Sequence, residues 1–247
     1  MVRLIAITLF LVGCAGTPNQ TKLSYNPKAA EANAELGKSY MQRGNNTVAL
    51  NKLNRALEFN PKSANAHHYI AELYRRVDKP EDADRHYRLA IDNSLNDSAL
   101  FNNYGVFLCG EKRIDDAMVQ FEKVLKDPVY RYPAQVYENL GICMAQNGQM
   151  VEAERNLRKA LSINPKLPKS LFELSKISLS NDKLFSARAF INRYEENSEQ
   201  SAESLWLGVE IEKKFNNHEA VKKYGEQLLE KFPLSDEAEK YHRLTKR

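Results

Sequence analysis

"YENLGICMAQNGQMVEAERNLRKALSINP", residues Tyr137–Pro165, is the stretch whose reading decides the fold. Small and apolar residues recur in it at helical spacings: Leu140, Gly141 and Met144 in the first half, Ala153, Leu157 and Ala160 in the second. Each half therefore reads as one face of an α-helix, and the two pack as an antiparallel pair. Gly141 and Ala153 let the backbones approach to the short end of the usual ~8–10 Å range, while Leu140, Met144 and Leu157 fill the space on either side. Pro165 ends the second helix, because proline lacks an N–H and clashes with the preceding turn.

Working outward, the same pair of small residues recurs along the chain. Gly37, Ala71, Gly105, Gly141, Ser175 and Gly208 each precede, by twelve residues, Ala49, Ala83, Ala117, Ala153, Ala187 and Ala220. The steps between successive alanines are 34, 34, 36, 34 and 33 residues. A period of this length marks a stacked array in which no hairpin buries enough surface alone. The period and its internal spacing resemble the tetratricopeptide repeat over nearly all of residues 30–234, with Leu36, Gly37, Tyr40, Ala49, Leu53, Ala56 and Pro61 supplying the signature in the first copy. That resemblance implies an all-α, right-handed superhelical solenoid of six repeats, at about 30–63, 64–97, 98–133, 134–167, 168–200 and 201–234. Tyr194 and Gln227 depart from it, standing where a second small residue belongs, and repeats two and five lack the terminal proline. The extra residues between repeats three and four lie in "KDPVYRYP" (126–133), which either bends the stack or is a tolerated insertion. After Pro233, Ser235 offers a helix cap, with acids in the first turn and bases in the last, so 235–247 reads as a capping helix.

At the other end, Arg3 precedes an apolar run from Leu4 to Val12 that stops at Gly13-Cys14. The run is well short of the ~20 residues a membrane-spanning helix needs, so 1–13 reads as a removable secretory signal. Leu11-Val12-Gly13-Cys14 resembles the bacterial lipobox, which implies cleavage before Cys14 and acylation of its thiol and new amino group by chains such as palmitate. The other reading is an ordinary signal with an incidental cysteine. Ala15, where some lipoproteins carry a retaining Asp, points by the same resemblance to the outer membrane. One acyl chain holds marginally, at about 0.8 kcal/mol per buried methylene, whereas the three of a lipoprotein hold firmly. Residues 14–28 are expected to form the acylated N-terminus and a polar tether, and 29–247 the solenoid, anchored at the outer membrane and facing the periplasm.

Chemistry-bearing motifs are scarce. His67, His68, His86, His218 and His242 are read as falling in different repeats, without H-E-x-x-H or Cys-x-x-Cys spacing for a metal. Neither a glycine-rich phosphate loop nor a G-x-S-x-G elbow occurs, so no enzyme activity, cofactor or small-molecule substrate is expected. Asp115-Asp116 and Glu195-Glu196 read as solvated helix ends. The net charge of +4 becomes +3 without the segment carrying Arg3, and the bases are spread among 32 acids, which gives no stripe for nucleic acid.

With Cys14 assigned to the lipid, Cys109 and Cys143 remain, in the first helices of adjacent repeats. Neighbouring solenoid helices can bring Cα atoms within the ~4.4–6.8 Å of a disulfide, and an oxidising periplasm favours closing it. Two small buried thiols that never meet are the alternative.

The cysteine-bearing stretches "NNYGVFLCGEKRIDDA" (102–117) and "YPAQVYENLGICMAQNGQMVEA" (132–153) resemble the tetratricopeptide lipoproteins of type IV pilus biogenesis, the pilotins of the pilus secretin. Asn102, Asn103, Tyr104, Gly105, Phe107 and Cys109 carry the likeness in the first, and Glu138, Asn139, Gly141 and Cys143 in the second. The resemblance implies a non-enzymatic protein that binds the secretin, promotes its outer-membrane localisation and multimer assembly, and so supports pilus biogenesis and twitching motility. Adaptor lipoproteins for peptidoglycan enzymes or outer-membrane protein assembly are the alternative.

In a stacked array the first helices line the concave face. The positions that face inward are His68, Glu72 and Arg75 in repeat two, with Asn102, Val106, Glu138, Ile142, Ala145, Phe172 and Leu179 in repeats three to five. An apolar floor with a polar end suits an amphipathic segment of a partner, although these residues could equally thicken the core. The carboxylate clamp of chaperone-binding repeat proteins is not expected, because its places hold Ala34, Lys38, Tyr69, Ala99 and Asn103.

Overall fold

The computed structural model describes residues 24–246. Among them are thirteen helices and no strand. They pair as α1 (Pro27–Gln42) with α2 (Asn46–Phe59), α3 (Ala64–Arg76) with α4 (Pro80–Asn93), and α5 (Ser98–Gly110) with α6 (Ile114–Leu125). The next pairs are α7 (Pro133–Gln146) with α8 (Met150–Ile163), α9 (Pro168–Ser180) with α10 (Leu184–Asn197), and α11 (Ala202–Lys214) with α12 (His218–Lys231). A final helix, α13 (Asp236–Thr245), packs on α11 and α12. The expected signal segment 1–13, Cys14 and most of the tether lie outside the described residues. Among the described residues no helix is long and apolar enough to cross a membrane.

Each glycine of the period sits beneath a large side chain of its partner helix. A Cβ at Gly141 would lie 2.6 Å from Leu157 Cγ and 3.1 Å from the Leu157 backbone nitrogen, and one at Gly105 would lie 2.8 Å from the Phe121 ring. Close approach, not backbone freedom, therefore selects glycine here. One core cluster runs from Ala71 in repeat two to Phe190 in repeat five. A second, built on Leu205, Val209, Leu228, Ala238 and Tyr241, joins repeat six to the cap. Ser235 caps α13 by accepting from Ala238 N at 3.1 Å, with Asp236, Glu237 and Glu239 in its first turn and His242 and Arg243 in its last.

Three features differ from the sequence reading. The solenoid starts at Pro27, two residues before the expected boundary, because Asn26 accepts from Ala29 N at 3.0 Å and Pro27 takes the first helical position. The turn inside every repeat closes on a left-handed residue: Gly44, Asp78, Lys112, Gly148, Asp182 and Asn216, with φ between 54° and 77°. The 126–133 loop is tied down, for Asp127 accepts from Ser98 Oγ at 2.5 Å and from Val129 N at 3.1 Å. Tyr130 packs from that loop against the central core.

Candidate partner-binding surface

The first helices stack in order, α5 on α7 and α7 on α9, and polar side chains link them across each boundary. Asn103 Nδ2 lies 3.0 Å from His68 Nε2, and Asn139 Nδ2 donates to Asn102 Oδ1 at 3.1 Å. Glu138 Oε1 accepts from both the backbone and the hydroxyl of Ser170, at 2.9 and 3.0 Å. His68, Asn102 and Glu138 are thus buried and already hydrogen-bonded between repeats. Burial lowers the His68 pKa, against the pull of Glu72, and the neutral ring accepts from the Asn103 amide.

The other inward positions divide. Arg75 is exposed and pairs with Glu72 at 2.8 Å. Val106 is 37% exposed, on the surface between its neighbours. Ile142 and Ala145 are partly buried against the central core, and Leu179 packs on the cluster of Ala187, Ile191, Leu207 and Ile211. Phe172 packs against Tyr194 with ring centroids 5.5 Å apart and the rings tilted by 46°, the tyrosine taking the place where the repeat pattern asks for a small residue. Glu138 and Phe172 meet in one open cleft of about 450 Å³, with Lys169, Tyr194 and Glu203 around it. His68, Arg75, Val106, Ile142 and Leu179 do not line that cleft.

Sequence reasoning missed a second cleft of about 410 Å³, where Trp206, Val209 and Leu244 form an apolar floor and Lys213 and Lys214 part of the rim. Its signal was available: two large apolar residues three apart on α11, facing an apolar residue of the cap.

Several ionisable groups also depart from expectation. His67, His68 and His86 do not fall in different repeats; all three lie in repeat two, and the Nδ1 atoms of His67 and His86 are 3.0 Å apart. His67 Nε2, 3.1 Å from Pro61 O, must donate, so His67 Nδ1 accepts from His86 Nδ1–H. Burial lowers both pKa values, and burial together with the His67 and Arg85 charges brings His86 down to about 4. Glu195 is not a solvated helix end: burial raises its pKa, and Tyr224 donates to it at 3.3 Å. Asp115 and Asp116 do occupy the first turn of α6, Asp116 pairing with Arg113 at 2.7 Å. Among the described residues no three His, Cys, Asp or Glu side chains cluster to hold a metal.

Cys109 on α5 and Cys143 on α7 are joined as a disulfide, with Cα atoms 5.7 Å apart.

Comparison with known proteins gives the following. A family model described as TPR repeat matches residues 37–78, and one described as tetratricopeptide repeat matches 134–167. The chain is 30% identical over 244 residues to the type IV pilus assembly protein PilF of Pseudomonas aeruginosa, covering 98% of this chain and 96% of that protein. It is 32% identical over 138 residues to an uncharacterized protein of Haemophilus influenzae, covering 56% of this chain and 77% of that one. The solved structure of Pseudomonas aeruginosa PilF superposes with a TM-score of 0.78 at 30% identity, over 87% of this chain and 97% of that one. PilW, a widely conserved type IV pilus biogenesis factor, superposes with a TM-score of 0.80 at 29% identity, over 87% and 99%.

Proposed function

Because the chain belongs to the family of type IV pilus assembly tetratricopeptide-repeat proteins that includes PilF and PilW, we propose that it is the pilotin of a pilus secretin. In this reading it is a lipoprotein of the outer membrane, facing the periplasm, that binds secretin subunits without catalysis and promotes their localisation and multimer assembly. The likeness to PilF over 98% of the chain carries the proposal. It is supported by the lipobox-like Leu11-Val12-Gly13-Cys14, which would provide the anchor.

The division of labour follows from the physics of each part. Acyl chains on Cys14 hold the protein at a membrane but cannot select a partner. Selection falls to the solenoid, where Val106 and the Glu138–Phe172 cleft offer apolar surface beside polar groups, as an amphipathic segment requires. The polar links between first helices stiffen this face, so little ordering cost accompanies binding.

Replacing Cys14 by Ala separates the two roles. Fractionation of the native host should then find secretin multimers displaced from the outer membrane, while secretin still co-purifies with the unanchored chain. Correctly placed multimers in the Cys14→Ala strain would contradict the anchor's role.

A further inference from the structure

We propose that the edge of the solenoid formed by its inter-repeat loops lies against the phospholipid surface that the N-terminal anchor brings within reach. The first helices of all repeats run in one direction, so their N-termini and the C-termini of the second helices share one edge. Side chains on that edge are unusually apolar for loops. Leu95 is 100% exposed, Val129 80% and Tyr132 58%. Tyr132 stands edge-on to Tyr130, with centroids 6.0 Å apart, and Tyr130 is packed into the core, so the aromatic tip has a rigid base.

The charges on this edge complement an anionic surface. Lys62, Arg131 and Lys166 have no carboxylate within 4 Å among the described residues. Of the acids in the same loops, Asp97 is held by the N-terminus of α5 and Asp127 by Ser98 and Val129 N, which leaves Glu199 as the exposed one. Aromatic and aliphatic tips flanked by free bases suit the headgroup region of a bilayer, where the apolar part enters and the ammonium or guanidinium stays at the phosphates.

The chain's point of emergence selects lipid over a protein partner. Asn26 N donates to Phe59 O at 3.0 Å, which pins the start of the solenoid to the C-terminal end of α2, on this same edge. Cys14 to Tyr25 is eleven residues, which at ~3.3–3.6 Å each span no more than about 40 Å. A surface held at such a distance is present at an effective concentration of order millimolar, so a contact too weak to recruit the protein alone is still formed. The placement rests on Cys14 as the attachment point. The opposite edge, about 20 Å away along helices of this length, exposes Val151 and Phe185. With the loop edge down, the helices stand along the membrane normal and the groove opens sideways.

Cys14 can be coupled to a maleimide lipid in the chain that begins at that residue, because Cys109 and Cys143 are paired. In a Trp206→Phe background, Leu95→Trp, Tyr132→Trp and Phe185→Trp each place one fluorophore at an exposed position. In vesicles of phosphatidylethanolamine and brominated phosphatidylglycerol, the tryptophans at 95 and 132 should lose most of their emission and shift to the blue, while that at 185 keeps its emission. Equal quenching on both edges, quenching at 185 alone, or none at any position would overturn the inference. Because the experimenter supplies the anchor, these outcomes are independent of natural acylation, which mass spectrometry of Cys14 from the native host decides separately.

Discussion

Asn139 donates to Asn102 across the boundary between repeats three and four, at 3.1 Å, and the same two helices are joined by the Cys109–Cys143 disulfide. The boundary that carries the covalent link therefore also carries a buried polar link. Both lie beside Val106 and Ile142, in the middle of the inward face. The disulfide closes a loop of 34 residues, which in the chain-entropy treatment contributes roughly 3–4 kcal/mol. Urea unfolding of the oxidised protein, compared with a Cys109→Ser, Cys143→Ser variant, should show a loss of that size. Peptide mapping of unreduced protein from its native compartment should recover the two cysteines together; both thiols free would contradict the pairing.

Gly141→Ala should be costly, and Gly110→Ala neutral to stabilising. The added methyl at 141 meets both the side chain and the backbone of Leu157, so the hairpin must open, at about 1–3 kcal/mol. At the exposed end of α5, a Cβ on Gly110 meets nothing within 4 Å, and alanine's helix preference gives up to about 1 kcal/mol of stabilisation. Thermal melts of the two variants check the contrast.

Lys112 holds φ at 58° in a turn where repeats one and four use glycine. Left-handed backbone costs a non-glycine residue roughly 1–2 kcal/mol, of which about 0.5–1 returns as greater entropy loss once glycine is installed. Lys112→Gly should consequently stabilise the protein by roughly 0.5–1 kcal/mol, read as a higher urea midpoint.

Acid should weaken repeat two first. His86 is held neutral down to about pH 4, whereas in the unfolded chain it protonates near 6.5. The unfolded state thus binds more protons between those values, and stability, fully present above about 6.5, falls as pH drops towards 4. His67, also lowered, adds in the same direction. Urea midpoints at pH 7.5 and pH 5 should differ accordingly, and His86→Gln should flatten the dependence.

Most of the fold was legible because its determinants are local and periodic. Gly141 and Ala153 each answer to one neighbouring helix, and the twelve-residue spacing repeats that contact six times. The left-handed turn position was hidden because Gly, Asp, Lys and Asn share it, so a common φ has no common letter. His67 and His86 escaped notice because they are 19 residues apart and meet only when the hairpin closes. On the inward face, repeat position told which side chains point inward but not which are engaged. His68, Asn102 and Glu138 are taken up by Asn103, Asn139 and Ser170 of the next repeat, a matter of inter-repeat offset. Cys14 rests on four residues that resemble a processing site, which no fold contact encodes.

The most direct test of the pilotin reading is deletion of this protein in its native host, followed by gel analysis of heat-stable secretin multimers in outer-membrane fractions and a twitching assay. Multimers should be lost or misplaced and twitching abolished. The wild-type chain should restore both, and a folded Val106→Asp, Phe172→Asp variant should restore neither. Normal multimers in the outer membrane of the deletion strain would contradict the reading.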